Sequence, residues 1–268
     1  MPLAVCATPI GNLEDVTLRV LAELRAADVV LCEDTRHTRT LLERHRIEAR
    51  LLSYHEHNEA ARTAQLMPRL EAGERIALVS DAGLPGISDP GGRLIAAALE
   101  AGVGVTVLPG PSAVETALVA GGLTADRYQF LGFLPRGDRA LTKVWEALAT
   151  WPWPAVAFES PRRLPATLRS LASADPEREL AVCRELTKRH EEVARGSARE
   201  LADRFSEPPK GEITLVLGPA ARAEPAAPTT AVEAVTELVD AGVARRQAAS
   251  VVARLTGLSR KDLYDTSL

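Results

Sequence analysis

The feature that most constrains the fold is a series of short apolar runs separated by amphipathic segments. The predicted strand Asp28 to Cys32 ends in consecutive apolar residues and does not alternate with polar ones, a pattern typical of a parallel sheet buried on both faces. Between such runs, Thr17 to Arg25 spaces Leu18, Leu21 and Leu24 for one helical face. Strands that alternate with helices through short connections predict a doubly wound parallel sheet. We assign this α/β domain to residues 1–120.

The second half of the chain predicts a different sheet. Its four predicted strands alternate polar and apolar residues more than those of the first half: Tyr128 to Phe133, Ala155 to Phe158, Leu180 to Cys183 and Glu212 to Leu217. Glu191 to Arg199 has no clean period and is left unassigned. We therefore predict a second α/β domain with a mixed sheet over residues 121–220. The fold class is two α/β domains followed by a small helical domain.

The C-terminal part, residues 221–268, predicts a linker and a small helical tail. Ala220 to Thr230 is rich in Ala and Pro, as linkers are. Ser259 is placed to cap a helix over Arg260 to Tyr264. Residues 231–268 carry five Arg or Lys and five Asp or Glu, so the tail as a whole is no basic arm.

Charge and cysteine content limit the possible partners and the compartment. The formal net charge of −4 indicates that any nucleic-acid contact must come from a local basic face. Cys6, Cys32 and Cys183 each lie in an apolar run, which favours small core residues in a reducing compartment. No apolar run approaches the roughly 20 residues of a membrane span. These patterns predict a cytoplasmic protein without a membrane partner.

Loops rich in Gly and Pro follow the predicted strands. The largest, within Leu78 to Arg93, reads LVSDAGLPGISDPGGR, and neither GxGxxG nor GxxxxGK[ST] occurs. The four loops are Thr8 to Asn12, Asp81 to Gly83, Pro109 to Ser112 and Glu159 to Pro161. Because open α/β sheets bind ligands at the carboxyl ends of their strands, these loops predict one crevice lined by backbone donors and one carboxylate, Asp81. The alternative, that each is an ordinary strand-to-helix turn, stays open.

Several motifs in order resemble one known family. They are TPIGNLEDVTLRVLAELRAADVVLCEDTRHTRTLL, SDAGLPGISDPG, LPGPSAVETALVAGG, FLGFLPR, FESPRRL, RELTKRHEE and KGEITLVLG. Together they span roughly Val5 to Pro219 and resemble the bacterial 16S rRNA (cytidine(1402)-2'-O)-methyltransferases of the tetrapyrrole-methylase superfamily. The chain departs from that family at Leu84 and Gly86, where the usual residues are Thr and Leu.

The resemblance implies a cofactor, S-adenosylmethionine, bound in a cleft between two α/β domains. It also implies 16S rRNA in the small ribosomal subunit as substrate, and a homodimer. By motif, the cofactor-binding residues are Pro9, Ile10, Gly11, Asn12, Asp81, Ala82, Gly83, Ser112, Ala113, Phe158, Leu186 and Thr214. An apolar cradle suits the adenine and sulfonium, while backbone groups and one carboxylate suit the polar ends.

Methyl transfer to a ribose hydroxyl depends mainly on alignment and gains from a general base. The candidate catalytic residues are Glu33, Asp34, Glu185 and Lys188, with His55 and Glu159 as further possible bases. Glu33 and Asp34 could instead be carboxylates favoured at a helix N-terminus. Glu185 and Lys188 could be a surface pair. A metal at His55 to His57 is disfavoured because no third ligand is evident, so no metal is predicted.

Short basic clusters follow the predicted strands and suggest RNA contacts. The candidates are Arg36, Arg39, Arg136, Arg162 and Arg163; a solvated charged surface is the alternative. Two other functions remain open at this stage. One is a methylase of a corrinoid or tetrapyrrole precursor with the same fold, and the other is a cofactor-binding or RNA-binding module without catalysis.

Overall fold

The computed structural model describes residues 1–220 and 228–267. The chain divides into two compact units, Met1–Ala220 and Ala221–Leu268. The first unit holds both predicted sheets, and its division at residue 120 stays a prediction. The predicted linker Ala220 to Thr230 falls mostly outside the described residues, but its last residues are helical, since a helix begins at Pro228.

The first sheet is formed by five strands. These are β1 (Leu3–Cys6), β2 (Val29–Cys32), β3 (Leu51–Ser53), β4 (Ile76–Leu78) and β5 (Val105–Leu108). The helices between and after them are α1 (Leu18–Ala26), α2 (Thr35–Arg44), α3 (Glu59–Glu71), α4 (Gly92–Glu100) and α5 (Ala113–Gly121). The strand order is β3-β2-β4-β1-β5, and every pairing is parallel. The predicted parallel sheet is confirmed.

Burial explains why the central strands of this sheet are apolar throughout. All residues of β1, β2 and β4 are buried. Side chains on one face, such as Leu3 and Leu31, pack with Leu66 of α3, and those on the other, such as Cys6, pack with Leu24 of α1. The prediction for Leu18 is wrong: it is the first residue of α1 and is 85% exposed, and Val20 is buried instead. Cys6, Cys32 and Cys183 are free and buried, as predicted.

The second sheet is mixed, as predicted. Its strands are β6 (Gln129–Phe133), β7 (Ala155–Glu159), β8 (Glu179–Arg184), β9 (Glu192–Ser197) and β10 (Ile213–Leu217), in the order β6-β7-β10-β8-β9. Only the β6–β7 pairing is parallel. The helices α6 (Asp138–Leu148), α7 (Leu164–Ala174) and α8 (Ala198–Arg204) belong to this part.

The sequence pattern missed β9, which lies at the edge of the second sheet. Within this strand only Ala194 is buried, so no apolar period marks it. Its assignment depends on the backbone ladder that it forms with β8.

Helix α5 follows the first sheet in the chain but packs on the second. Val114, Ala117 and Leu118 share one apolar cluster with strand residues of the second sheet. A Cβ built at Gly121 would lie 3.1 Å from Cβ of Ala181. The helix therefore follows the first sheet in the chain and forms part of the core of the second.

The second unit contains three helices with a core of its own. They are α9 (Pro228–Asp240), α10 (Arg245–Thr256) and α11 (Arg260–Thr266). Their buried apolar residues are Ala231, Val235, Ala248, Ala249, Val252 and Leu263. Ser259 caps α11 by accepting the amide of Asp262 at 3.3 Å, which confirms the predicted cap. Among the described helices of both units, none has the length and hydropathy to cross a membrane.

Candidate functional site

The loops that follow β1 and β4 are held together at the carboxyl edge of the first sheet. The amide of Thr8 donates to the carbonyl of Gly83 at 2.9 Å, and the amide of Gly83 donates back at 3.1 Å. The Thr8 hydroxyl donates to the carbonyl of Ser80 at 3.0 Å. Gly83 has a φ of +74°, a conformation that favours glycine. The structure thus brings the predicted segments Pro9–Asn12 and Asp81–Gly83 side by side.

An apolar cluster joins this edge to the second sheet. Ile10 and Leu186 are buried in it, and Ala113 and Phe158 pack against it. Thr214 lies beside Phe158 in the ladder between β7 and β10 and is 6% exposed. These five predicted cofactor residues therefore meet at one place, which offers the apolar cradle that an adenine and a sulfonium need.

Gly11 lies against the loop 185–188 too closely for any side chain. A Cβ built there would lie 2.5 Å from Cγ of Lys188, 2.7 Å from Oγ1 of Thr187 and 2.8 Å from the carbonyl oxygen of Leu186. The amide of Asn12 donates to the Thr187 hydroxyl at 2.9 Å. Glu185 and Thr187 have positive φ values of 52° and 63°, which non-glycine residues adopt at an energetic cost. The loop 185–188 is thus held in a costly conformation against the first sheet.

A depression of about 470 Å³ borders these loops. Its lining includes Ile10, Gly110, Pro111 and Thr187. The predicted cofactor residues Ser112 and Ala113 follow the lining residue Pro111 directly in the chain. The Ser112 hydroxyl is bonded to Glu115, which also accepts the Tyr128 hydroxyl at 2.5 Å. Ser112 therefore has an intramolecular partner.

The carboxyl edge of the first sheet is acidic beside this cradle. Asp81 Oδ1 accepts the amide of Asp34 at 3.2 Å. Burial, followed by the charge of Asp81, raises the pKa of Glu33. Burial also raises the pKa of Asp89 to about 6, with Ser80 acting in the opposite direction and Glu33 and Asp81 adding to the rise. Sequence reasoning missed Asp89, although it lies in the quoted ISDPG segment and its burial is invisible in the pattern.

Asp34 and Glu185 are held as ionised carboxylates by their neighbours. Asp34 caps α2 by accepting the amide of Arg36 at 2.8 Å, and it pairs with the Arg36 guanidinium; these bonds hold its pKa well below the usual range. Glu185 accepts Lys188 Nζ at 2.8 Å, which lowers the Glu185 pKa. The ammonium also bonds Glu212 at 2.8 Å. Burial lowers the pKa of Lys188, but the hydrogen bonds to Glu185 and Glu212 outweigh burial, so the pKa is raised.

Of the four predicted catalytic residues, only Glu33 has a raised carboxyl pKa. Asp34 serves as the cap favoured by a helix N-terminus, and Glu185 and Lys188 form the ion pair that was the alternative interpretation. That pair lies next to Gly11 and supports the loop 185–188. Its position suits a role in shaping the cradle.

Glu159 and His55, the other possible bases, have different surroundings. The Glu159 side chain is 0% exposed, pairs with Arg163, and accepts the Thr167 hydroxyl at 2.6 Å. The amide of His55 donates to Asn58 Oδ1 at 2.9 Å, and its ring bonds the same side chain. The Glu159 carboxylate is therefore buried and bonded to two neighbouring side chains.

The predicted RNA-binding arginines divide into two groups. Arg39, Arg136 and Arg162 are exposed and make no ion pair within the described part of the chain. Arg36 is exposed but paired with Asp34, whereas Arg163 pairs with buried Glu159 and donates to the carbonyl of Leu134 at 2.9 Å. Arg163 therefore has two structural partners for its guanidinium.

The chain resembles known methylases along most of its length. A family model described as tetrapyrrole (corrin/porphyrin) methylases matches residues 2–202, and the chain belongs to this family. Ribosomal RNA small subunit methyltransferase I of Mesorhizobium japonicum is 45% identical over 267 residues, which cover 98% of this chain and 90% of that protein. The protein of the same name from Synechocystis is 42% identical, and the match covers 99% of this chain and 97% of that protein. Similarity along nearly the whole length assigns the chain to this methyltransferase branch of the family.

A solved structure confirms the fold class. Uroporphyrin-III C-methyl transferase from Thermus thermophilus, complexed with S-adenyl homocysteine, matches with a TM-score of 0.59 and 19% identity. The match covers 83% of this chain and 99% of that chain. The two proteins share the two-sheet methylase fold.

Gly11→Ala is expected to weaken binding of the predicted cofactor and to lower the melting temperature. The added Cβ cannot fit unless the loop 185–188 moves, and overpacking of this kind costs about 1–3 kcal/mol. Calorimetry with S-adenosylhomocysteine and a thermal melt would measure both effects. Gly137→Ala is the matched control, because a Cβ there meets nothing within 4 Å. Equal behaviour of the two variants would contradict the close approach at Gly11.

Asp89→Asn is expected to stabilise the protein more at pH 8 than at pH 5. The folded pKa of Asp89 is raised to about 6, so the folded state retains a proton that the unfolded chain loses at lower pH, and stability falls as pH rises through this window. Asn does not ionise, so the variant does not lose stability as the pH rises. Because the side chain is partly exposed, the gain between the two pH values should be on the order of 1 kcal/mol. Urea unfolding of both proteins at each pH would measure it, and a difference independent of pH would refute it.

Proposed function

We propose that this chain is an S-adenosylmethionine-dependent methyltransferase that methylates the 2'-hydroxyl of a cytidine ribose in 16S rRNA, at cytidine 1402 in the decoding centre. The observation that carries the proposal is the junction of the loops after β1 and β4 with the loop 185–188, where Gly11 leaves no room for a side chain. The family and the names of the full-length relatives support the reaction class and the RNA substrate.

The residues present fit the cofactor. Buried Ile10 and Leu186 with half-buried Phe158 provide the desolvated apolar surface, and Asp81 provides a carboxylate beside it. When bound, S-adenosylmethionine supplies an electrophilic methyl group. In this proposal the chain's own residues hold the cofactor in a cradle from which water is excluded.

The acceptor side of the proposed site lies between Asp89 and Phe133. A Cβ built at Gly132 would lie 3.5 Å from Oγ of Ser88, so the loop that carries Asp89 comes close to β6. Phe133 is 61% exposed and makes an edge contact with Phe158, with ring centroids 5.4 Å apart. Exposed aromatic rings stack unpaired bases. In the proposed site Phe133 stacks a base, and a carboxylate, Glu33 or Asp89, accepts the hydroxyl proton.

A carboxylate with a raised pKa suits that role. A general base works best when its pKa lies near the operating pH, and burial moves Glu33 and Asp89 in that direction. Asp34 and Glu185 have lowered pKa values and fit it less well. The cofactor residues, the catalytic carboxylates and the RNA contacts of Arg36, Arg39, Arg136 and Arg162 remain part of the proposal.

The deciding experiment incubates the protein with labelled S-adenosylmethionine and small ribosomal subunits that lack the modification. Nuclease digestion and mass spectrometry then locate the label. Label in the ribose of cytidine 1402 supports the proposal. Label only in a tetrapyrrole precursor supplied in parallel indicates the small-molecule methylase, and cofactor binding without transfer indicates a non-catalytic module.

The proposal includes a homodimer, which rests on the family resemblance, and a cytoplasmic location, which rests on the cysteine pattern and the apolar runs of the sequence. Sedimentation at micromolar concentration measures the first, and fractionation of cells measures the second. A monomer at all concentrations would remove the dimer from the proposal without affecting the chemistry.

A further inference from the structure

Two helices of the three-helix unit of residues 228–267 carry charge of one sign each, whereas α11 carries both signs, with Arg260, Lys261, Asp262 and Asp265. Helix α9 carries the acidic residues Glu233, Glu237 and Asp240 and no basic residue. Between residues 241 and 261 the chain carries five basic residues and no acidic one. The balanced total charge of the tail therefore conceals an acidic helix and a basic helix.

The basic residues of α10 form a stripe opposite its buried face. Arg246, Ser250 and Arg254 follow at intervals of four residues, so they lie on one side of the helix over about 12 Å. Ala248, Ala249 and Val252 are the buried residues, and they lie on the other side. Arg246 and Arg254 are both exposed.

A short turn brings two more cations after this stripe. Gly257 ends α10 in the left-handed conformation with a φ of 74°, and α11 begins at Arg260. Arg260 and Lys261 are exposed at the start of α11. We define the basic face as Arg246, Arg254, Arg260 and Lys261.

Within the described residues, none of the four side chains of the basic face makes an ion pair or a hydrogen bond. The arginines of the first unit behave differently, since many of them pair with a carboxylate, as Arg44 does with Glu14 and Arg75 with Glu23. The acidic residues of α9, and Asp262 and Asp265 of α11, lie in the same three-helix unit, but none of them is within ion-pair distance of the four cations among the described residues. These cations thus stay available for an external anion.

We propose that the basic face of the three-helix unit binds the phosphate backbone of RNA, at a site separate from the methylated nucleotide. An array of exposed cations without anionic partners complements a polyanion, and the release of counterions from RNA adds to the affinity. The basic face consists of Arg and Lys side chains, which suit contacts to phosphates. We therefore expect it to add affinity for RNA without recognising a base sequence. This inference rests on the proposed function and extends it, because it assigns a second contact to the same substrate class.

The test uses the full chain with the double variant Arg246→Glu/Arg254→Glu. Fluorescence anisotropy with a fragment of the small-subunit rRNA, measured at several salt concentrations, gives affinity and its salt slope. We expect affinity at least about tenfold weaker and a salt slope smaller by about 1.4–1.8, since each lost phosphate contact removes about 0.7–0.9. The variant Arg246→Gln/Arg254→Gln removes the two charges without reversing them and should show the same change in slope, so it decides the question if the Glu variant does not fold.

The matched control is Arg19→Glu/Arg169→Glu, which makes the same charge change at exposed helical positions of the first unit. It should retain most of the wild-type affinity and slope. If the control lost as much RNA affinity as the α10 variant, the net charge of the protein would explain the loss, and the proposal would be overturned. A second result would also overturn the proposal. If the α10 variant kept the RNA affinity of the wild type but no longer bound vesicles of anionic phospholipid, the basic face would serve a membrane surface.

The result can be separated from the proposed methylation. Calorimetry with S-adenosylhomocysteine should give unchanged cofactor affinity in the α10 variant. On small subunits its KM should rise with kcat nearly unchanged. If the wild-type protein transfers no methyl group to the subunit, the methylation proposal fails, while the anisotropy series still decides whether the basic face binds RNA.

Discussion

Asp81→Asn is expected to weaken binding of S-adenosylmethionine by about 10- to 100-fold and to lower methyl transfer with it. Asp81 supplies the carboxylate at the edge of the proposed cradle, and hydrogen bonds to a charged group contribute about 1.5–3 kcal/mol each. The amide keeps the shape and removes the charge. Calorimetry with the cofactor and a single-turnover assay on unmodified small subunits would measure the two losses.

The control for this variant is Asp203→Asn, an exposed carboxylate on α8, which should leave both measurements unchanged. A second effect must also be separated, because Asp81 accepts the amide of Asp34. The asparagine oxygen can still accept that bond, so the melting temperature should change little. Wild-type cofactor affinity in Asp81→Asn would show that the cofactor site lies elsewhere.

Glu159→Ala is expected to lower the free energy of unfolding by about 3–5 kcal/mol, the usual cost of leaving a buried charge without its partner. Glu159 is completely buried and holds the Arg163 guanidinium and the Thr167 hydroxyl. Removal of the carboxylate leaves the buried Thr167 hydroxyl and the Arg163 guanidinium, whose side chain is 26% exposed, without this acceptor. Chemical denaturation would measure the loss.

The double variant Glu159→Ala/Arg163→Met separates the ion pair from other roles of Glu159. With both charges gone, part of the lost stability should return, since replacing a whole buried pair costs less than breaking it. If Glu159 were a base in the reaction, Glu159→Gln would lose activity while remaining stable at assay temperature. A stable, active Glu159→Gln protein would support the structural role.

Much of the fold could be predicted because burial leaves a direct trace in sequence. Strands such as β1 and β2 are buried on both faces, so they are apolar throughout, and the helices between them show one apolar face. The strand β9 left no such trace because a single one of its residues is buried, and its ladder with β8 is made by backbone groups that every residue carries. The last residues of the predicted linker were misassigned because α9 begins at a proline, which is well suited to a first helical position.

The sequence predicted which loops form the candidate site, but it did not predict how these loops contact one another. Loop composition predicted Asp81, because a carboxylate in a Gly- and Pro-rich loop is a local property of the chain, and motif resemblance added Gly11 and Leu186. The contact of Gly11 with Lys188 joins residues far apart in sequence, and no local pattern encodes it. Protonation is equally non-local, since the pKa values of Glu33 and Asp89 depend on burial and on carboxylates from other loops.

The sequence by itself determined the kinds of element, the order of the two sheets and the loops that carry the site, since apolar period and turn residues act over a few neighbouring positions. Only the tertiary structure decided which candidate carboxylates have a raised pKa and which are held in ion pairs. It also showed that the four cations of the basic face are exposed and make no ion pair among the described residues. Both outcomes follow from the same physical cause: charge interactions and desolvation depend on distance in space, which the folded chain sets between residues that the sequence keeps apart.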